Sequence, residues 1–272
     1  MKKIYLALRK IIFFFEEKIG LRILLFKNMQ FFTRSHPHSR YLRIIKYLFK
    51  KKDLVIFEIG AYRGINIDVF INGLKNYNLE IFGFEPNKEC YDFLVNKYSK
   101  FKKIDFYNFA LGKADEKKIL NITNNDNLSS FFNTNENYYK DSEKNNAFKK
   151  DLSLNPLKVL RKEEVYIKKG DSVLNNLHVK EVDVLSLNVQ GFEIEVLNGL
   201  RESLSSGKIK SIIIEVDFSS RYNSSYSLKD IELIASECGF ELFDINSIKN
   251  FDEVGIYMLD LFYVHNSLSV VR

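Results

Sequence analysis

Short apolar runs that end in glycine or proline, each followed by a segment with helical spacing, leave few architectures open to this chain. "DLVIFEIG" (53–60) is a β-branched run suited to a buried strand, and Ile67, Phe70, Ile71 and Leu74 then recur at helical intervals. "EIFGFEPN" (80–87) repeats the pattern ahead of a helix in "KECYDFLVNKY", and "KIDFYNFAL" (103–111) reads as a single third strand ending at Gly112. Strands that alternate with helices at this spacing form right-handed crossovers. The expectation is an α/β fold, a doubly wound parallel sheet with helices on both faces.

The rhythm falters and then returns. "KKILNIT" (117–123) reads as a strand, whereas residues 124–155 are rich in Asn, Ser, Lys and Tyr and read as a long loop or lid. "EEVYIKKGDSVLNNL" (163–177) predicts a strand and a short helix, with Asp171 or Ser172 as its cap. "VDVLSLNVQG" (182–191) is a buried strand, followed by a helix that ends at Gly207; "KSIIIEVDF" is another core strand. A helix near 227–238, a strand at 240–246 and a last strand in "GIYMLDLFYVH" finish the pattern. One main domain over residues 51–272 with an appendage at 1–50 suits a chain of 272 residues.

Charges at Arg9, Lys10, Glu16, Glu17, Lys18, Arg22 and Lys27 interrupt the apolar residues of the appendage. No run reaches the roughly 20 residues of a membrane span, and no small-residue cleavage site marks a signal peptide. Ile4, Leu8, Ile11, Phe15, Ile19, Ile23 and Phe26 form one stripe at helical period, which predicts an amphipathic helix. Such a helix can pack on the main domain, build a homodimer, or rest on an anionic membrane as a peripheral contact. Cys90 and Cys238 have no disulfide or metal spacing, so a reducing, cytoplasmic setting is expected, with the inner face of the membrane as its variant. The net charge of +6 is scattered, and the reading is a solvated surface with no nucleic-acid partner.

In an open parallel sheet ligands bind at the carboxyl ends of the strands, so the loop "EIGAYRG" (58–64) is the place for one. Gly60 permits a tight turn with close backbone approach, and Gly64 lets the next helix start near the ligand. Two glycines alone fit NAD, FAD, another nucleotide, S-adenosylmethionine, or a plain tight connection. Two carboxylates narrow the choice. Glu58 would repel a pyrophosphate but suits a ligand with an ammonium and a sulfonium. Glu85, at the end of the second strand, is placed to accept hydrogen bonds from ribose hydroxyls. Together they favour S-adenosylmethionine.

The motifs and their order resemble the FkbM-type methyltransferases: "EIGAYRG", "FEP" (84–86), "ALG" (110–112), "NLSSFF" (127–132), "NVQGFEIEVLNG" (188–199) and "IIIEV" (212–216). The resemblance covers residues 53–246. It implies a class I methyltransferase (Rossmann-like) fold with a seven-stranded sheet, whose last strand, 256–264, inserts antiparallel. It also implies that Gly60, Ala61 and Gly64 cradle the methionine end of S-adenosylmethionine with Glu58 beneath. Glu85 and Pro86 would lie at the ribose, and Asn108, Ala110 and Leu111 at the adenine. The implied reaction is O-methylation of a sugar hydroxyl in a polysaccharide, glycolipid or natural product, with Ser129, Ser130, Tyr138 and Tyr139 at the acceptor. The chain departs from the family pattern where Glu58 replaces the usual Asp and where Asn188 stands in place of an Asp.

A hydroxyl acceptor must lose a proton, and Asn188, though at a catalytic position, is an amide that cannot act as a base and is a poor ligand for a hard cation. Glu193, Glu215 and Asp217 remain as bases. Glu193 can equally cap the helix that begins at Gly191, and Glu215 lies in an apolar strand where burial would raise its pKa. His36, His38, His178 and His265 form no metal spacing, and no metal site is expected. A nucleotide-dependent sugar oxidoreductase would need a fuller glycine fingerprint, and Tyr98 with Lys102 falls too early for its Tyr-x-x-x-Lys pair. A nucleic-acid base methyltransferase would need an Asn/Asp-Pro-Pro-aromatic motif, which "NPLK" (155–158) is not. A non-catalytic binding protein that kept the fold is the other alternative, and Asn188 is the residue that favours it.

Overall fold

The computed structural model describes residues 21–25, 31–35, 37–135, 138, 155–219, 221–223, 226–251 and 255–268. β1 (Leu21–Leu25) and β2 (Phe31–Ser35) pair antiparallel, and α1 (Pro37–Leu48) follows. Pro37 opens that helix, a position where its missing N–H costs nothing. The chain continues through β3 (Asp53–Ile59), α2 (Ile65–Gly73), β4 (Asn78–Phe84), α3 (Lys88–Lys97) and β5 (Ile104–Tyr107). It then makes β6 (Ala110–Gly112), β7 (Glu116–Thr123), a 3-10 turn at Asp126–Leu128, and β8 (Val159–Lys169). α4 (Gly170–Asn176), β9 (Val184–Leu187), α5 (Glu193–Gly199), α6 (Arg201–Ser205) and β10 (Ser211–Asp217) come next. α7 (Leu228–Glu237), β11 (Phe240–Phe251) and β12 (Gly255–His265) complete the order.

Seven strands form the central sheet in the order β11-β12-β10-β9-β3-β4-β5. β12 is antiparallel to both of its neighbours, and the β10-β9-β3-β4-β5 ladders are parallel. Side chains alternate across it. Phe57, Ile59, Phe84, Leu185, Leu187, Ile212 and Ile214 pack with Val196, Leu197, Leu204 and Ile231 on one face. Leu54, Ile56, Ile81, Val184 and Ile213 pack with Tyr41, Ile45, Ile67, Phe70 and Leu94 on the other. The period of two thus feeds two cores, α1 to α3 against one side and α5 to α7 against the other, with each buried Leu, Ile or Phe contributing about 1.5–3 kcal/mol.

Four expectations change. The helical stripe that included Ile23 is not continued through β1, where the backbone is extended and pairs with β2; Phe31, Phe32 and Thr33 favour that state. The rest of the stripe, residues 1–20 and Phe26, lies outside the described residues. The single strand at 103–111 is two: β5 stays in the main sheet, while β6 joins a small sheet of order β6-β8-β7. The Asn108 side chain marks the break, donating to the Glu85 and Pro86 carbonyls at 3.0 Å each. The helix ending at Gly207 divides at Leu200 into α5 and α6. Asp171 does not cap its own helix; its carboxylate accepts from Glu202 N and Ser203 N at 3.1 and 2.9 Å and so caps α6.

Candidate active site

A cavity opens at the carboxyl ends of β3, β4 and β9, lined by Glu58, Gly60, Ala61, Tyr62, Glu85, Pro86, Ala110, Leu111, Asp126, Ser129 and Asn188. Ile65, Leu120, Phe131, Val189 and Phe192 supply its apolar wall. Phe131 and Phe192 lie 4.7 Å apart between ring centroids, and the Lys118 amine sits 5.0 Å above the Phe192 ring. The site therefore has a polar, acidic end at the glycine loop and an aromatic end under the small sheet.

Glu58 is 1% exposed. Asn66 donates to its Oε1 at 2.8 Å, and Oε2 has no hydrogen-bond partner. Burial pushes its carboxyl up to about 8, an effect that Ser186 and Asn66 only partly offset. Glu85 is 7% exposed and better supported, accepting from Tyr62 N at 2.7 Å and Asn87 N at 2.9 Å. Burial raises it to about 7 despite those two amides, and Asp126 adds to the rise. Two acids thus stand at the polar end with lone pairs left over.

The glycine loop is tied down by residues that local sequence motifs did not indicate. Tyr62 donates its hydroxyl to Asp126 Oδ1 at 2.8 Å, and Arg63 pairs with Asp126 Oδ2 at 2.7 Å. Burial opposes the charge on Asp126, but Arg63 and Tyr62 outweigh it and hold the carboxyl below its ordinary value. This latch brings the 3-10 turn of the 124–135 segment over the cavity rim. Tyr62 itself has φ 49°, a left-handed conformation that turns its amide toward Glu85.

Several implied roles move. Gly64 does not line the cavity; at φ 79° it lets the backbone pass under Tyr98, whose hydroxyl lies 2.8 Å from the Gly64 carbonyl. Asn108 is likewise outside the cavity lining and holds the Glu85–Pro86 turn instead. Ser129 lines the cavity, but Ser130 is buried behind it and donates to the Gln190 carbonyl at 2.7 Å. Tyr138 packs beside Leu128, Leu157 and Tyr222, away from the cavity lining, and Tyr139 lies outside the described residues.

The candidate bases also separate. Glu193 is buried and takes the amides of Val189 at 3.1 Å and Gly191 at 3.0 Å together with the Tyr226 hydroxyl at 2.6 Å. Burial raises its pKa while those donors resist the rise. It does not cap α5, whose N-cap Phe192 has no side-chain hydrogen bond; it fastens the turn before the helix and does not line the cavity. Glu215 is half-buried on β10, in register with Asp260 of β12, and is also outside the lining. Asp217, the last residue of β10, is outside the lining too, so of the four catalytic candidates only Asn188 reaches the cavity. Among the described residues no group of three His, Cys, Asp or Glu side chains could hold a metal ion, and no helix is long and apolar enough to cross a membrane.

A sheet ordered β11-β12-β10-β9-β3-β4-β5 with β12 antiparallel, and a cavity with two strand-end acids beside a glycine turn, define a class I methyltransferase fold. Residues 58–242 match the family described as the Methyltransferase FkbM domain, and the chain belongs to that family. The methyl donor of the family is S-adenosylmethionine. Among solved structures, the FkbM methyltransferase of Methylobacillus flagellatus KT is 13% identical, with a TM-score of 0.48 over 85% of this chain. This chain spans 51% of that protein's length. M. capricolum TrmK with S-adenosyl-homocysteine is 13% identical with a TM-score of 0.42, covering 85% of this chain and 70% of its own. Magnesium protoporphyrin IX methyltransferase (ChlM) from Synechocystis PCC 6803 with bound SAM is 11% identical with a TM-score of 0.43, covering 85% and 80%. No curated protein matches the chain.

Proposed function

We propose that this cavity binds S-adenosylmethionine and that the protein transfers its methyl group to an oxygen of a carbohydrate acceptor. Glu58 carries the cofactor half of the reading. A fully buried carboxyl with one oxygen unpartnered is costly to ionise, so it holds a proton until a cation completes it as a carboxylate, and the methionine ammonium is such a cation. Glu85, with both oxygens already oriented by backbone amides, is built to take the ribose hydroxyls. The acceptor half rests on the family resemblance and on the polar and aromatic wall contributed by Asn127, Ser129, Phe131 and Gln190.

S-adenosylmethionine, when bound, supplies a methyl group activated by a sulfonium. The chain's part is positioning and exclusion of water. Gly60 and Ala61 give the ligand a close backbone surface, the acids fix its two polar ends, and Phe131 and Phe192 keep the aromatic end dry. Asn188 can hydrogen-bond an acceptor oxygen but cannot remove its proton, which would pass to solvent.

Calorimetric titration with S-adenosylmethionine and its demethylated product tests the cofactor half. Micromolar binding is expected, weakened about 10- to 100-fold in Glu85→Ala through the loss of hydrogen bonds to a charged group. A folded protein that gives no heat with either ligand would sink the reading. Labelled methyl transferred to a polysaccharide should survive alkali as an ether; release as methanol would mean a carboxylate ester and overturn the hydroxyl assignment.

A further inference from the structure

The loop after β9 contains a hydrogen-bonded chain that the acids and the glycine loop do not account for. Gln190 donates from Nε2 to Asn188 Oδ1 at 2.6 Å, and the Tyr222 hydroxyl donates to Gln190 Oε1 at 2.7 Å. Gln190 sits at φ 52°, a left-handed conformation uncommon for a residue with a side chain, and the turn is locked from several sides. Ser130 holds the Gln190 carbonyl, and Glu193 holds the amides of Val189 and Gly191. Such strain in a fastened loop points to a demand on where the side chain goes.

We propose that Gln190 and Tyr222 are positioning residues which fix the hydrogen-bonding sense of Asn188, so that its Nδ2 is the group offered to the acceptor oxygen in the cavity. An asparagine amide has two faces, one donating and one accepting. With Oδ1 occupied by Gln190, what Asn188 has left to offer is a pair of N–H donors. The site then selects an acceptor with an oxygen lone pair at this point and disfavours a cationic one, which an aspartate here would attract.

The sense depends on one proton. The Tyr222 hydroxyl has a single hydrogen and two acceptors within reach, Gln190 Oε1 at 2.7 Å and the Leu128 carbonyl at 3.1 Å. If the proton went to Leu128, the tyrosine oxygen would accept from the Gln190 amide, both amides would turn over, and Asn188 would show its carbonyl to the cavity. The shorter contact favours the donating sense. Leu128 belongs to the turn next to the Asp126 latch, so the segment over the cavity rim and the amide inside it share one tyrosine.

The meaning of this assignment rests on the methyl-transfer reading, but its test does not. Side-chain amide resonances of the 15N-labelled protein can be assigned by selective asparagine or glutamine labelling and by their loss in Asn188→Asp and Gln190→Glu. The Gln190 amide should exchange with solvent at least tenfold more slowly than that of Asn188. Asn188→Asp should preserve the Gln190 protection, because a carboxylate still accepts, and Tyr222→Phe should reduce the difference. Slower exchange at Asn188, or equal exchange at the two amides in the wild-type protein, would overturn the proposal. If a variant fails to fold, triple-resonance assignment of the wild-type protein identifies the Asn188 amide, and the Gln190 amide has only Gln30 to be told from. Titration with S-adenosyl-homocysteine on the same sample reports separately on the cofactor reading.

Discussion

Glu58→Gln is expected to make the protein more stable and nearly unable to bind its cofactor. The Glu58 carboxyl is raised from an ordinary 4.5 to about 8 by burial, so the folded state takes up a proton that the unfolded state has released at neutral pH. A raised acid gives its stability below the unfolded pKa and loses it as pH rises through the folded one. Between roughly pH 4.5 and 8 the wild-type protein should therefore lose stability that the glutamine variant keeps. At pH 7 the difference is about 3 kcal/mol, or roughly 5–10 °C in Tm for a domain of this size. Glutamine retains the carbonyl that Asn66 binds and removes the charge. A ligand ammonium would find no counter-ion, and affinity for S-adenosylmethionine should fall about 100-fold. The same linkage predicts that wild-type affinity rises with pH toward 8, by up to about tenfold per pH unit, because a cation selects the ionised acid. Glu85, raised to about 7, acts in the same direction. Calorimetry in buffers of different ionisation enthalpy would count the proton released. A variant with unchanged melting temperature and unchanged affinity would remove Glu58 from the site.

What could be read from the sequence followed the distance over which each feature is determined. The strands β3, β4, β9 and β10 were legible because alternation and glycine or proline punctuation are local, and each side of the alternation found its own core. Glu58, Gly60, Ala61, Glu85, Pro86, Ala110, Leu111, Ser129 and Asn188 were legible as a constellation of short motifs, and all of them line the cavity. Asp126, Tyr222 and Tyr226 lie in stretches with little periodicity, and their roles come from partners 32 to 94 positions away. The end of β5 was misplaced for a similar reason: "NFALG" is apolar enough to continue a strand, and only the pairing of Ala110 with Ile167 shows that the chain has changed sheets. At β1, a run of five apolar-rich residues fits either period, and the partner strand decides.

The two glycines of the loop look alike in sequence, yet the structure predicts different consequences for replacing them. Gly60 has φ 79°, and a Cβ there would overlap the backbone carbonyl oxygen of Asn188. That carbonyl cannot retreat cheaply, because Asn188 N is bonded to the Ile59 carbonyl at 3.1 Å and the β3–β9 ladder ends just before it. Left-handed strain of about 1–2 kcal/mol and overpacking of about 1–3 kcal/mol then add at the centre of the sheet. Gly60→Ala should lose about 3 kcal/mol or more in denaturant unfolding and, by spreading the two strand ends that frame the cavity, weaken cofactor binding at least 100-fold. Gly64 has the same φ, but its Cβ would meet the Tyr98 side chain, whose hydroxyl end can shift. Gly64→Ala should therefore also lower stability while leaving cofactor affinity within about threefold of wild type, because neither Gly64 nor Tyr98 lines the cavity. Equal loss of binding in the two variants would restore Gly64 to the cofactor cradle, and a Gly60→Ala protein that binds normally would show that the β3–β9 contact does not shape the site.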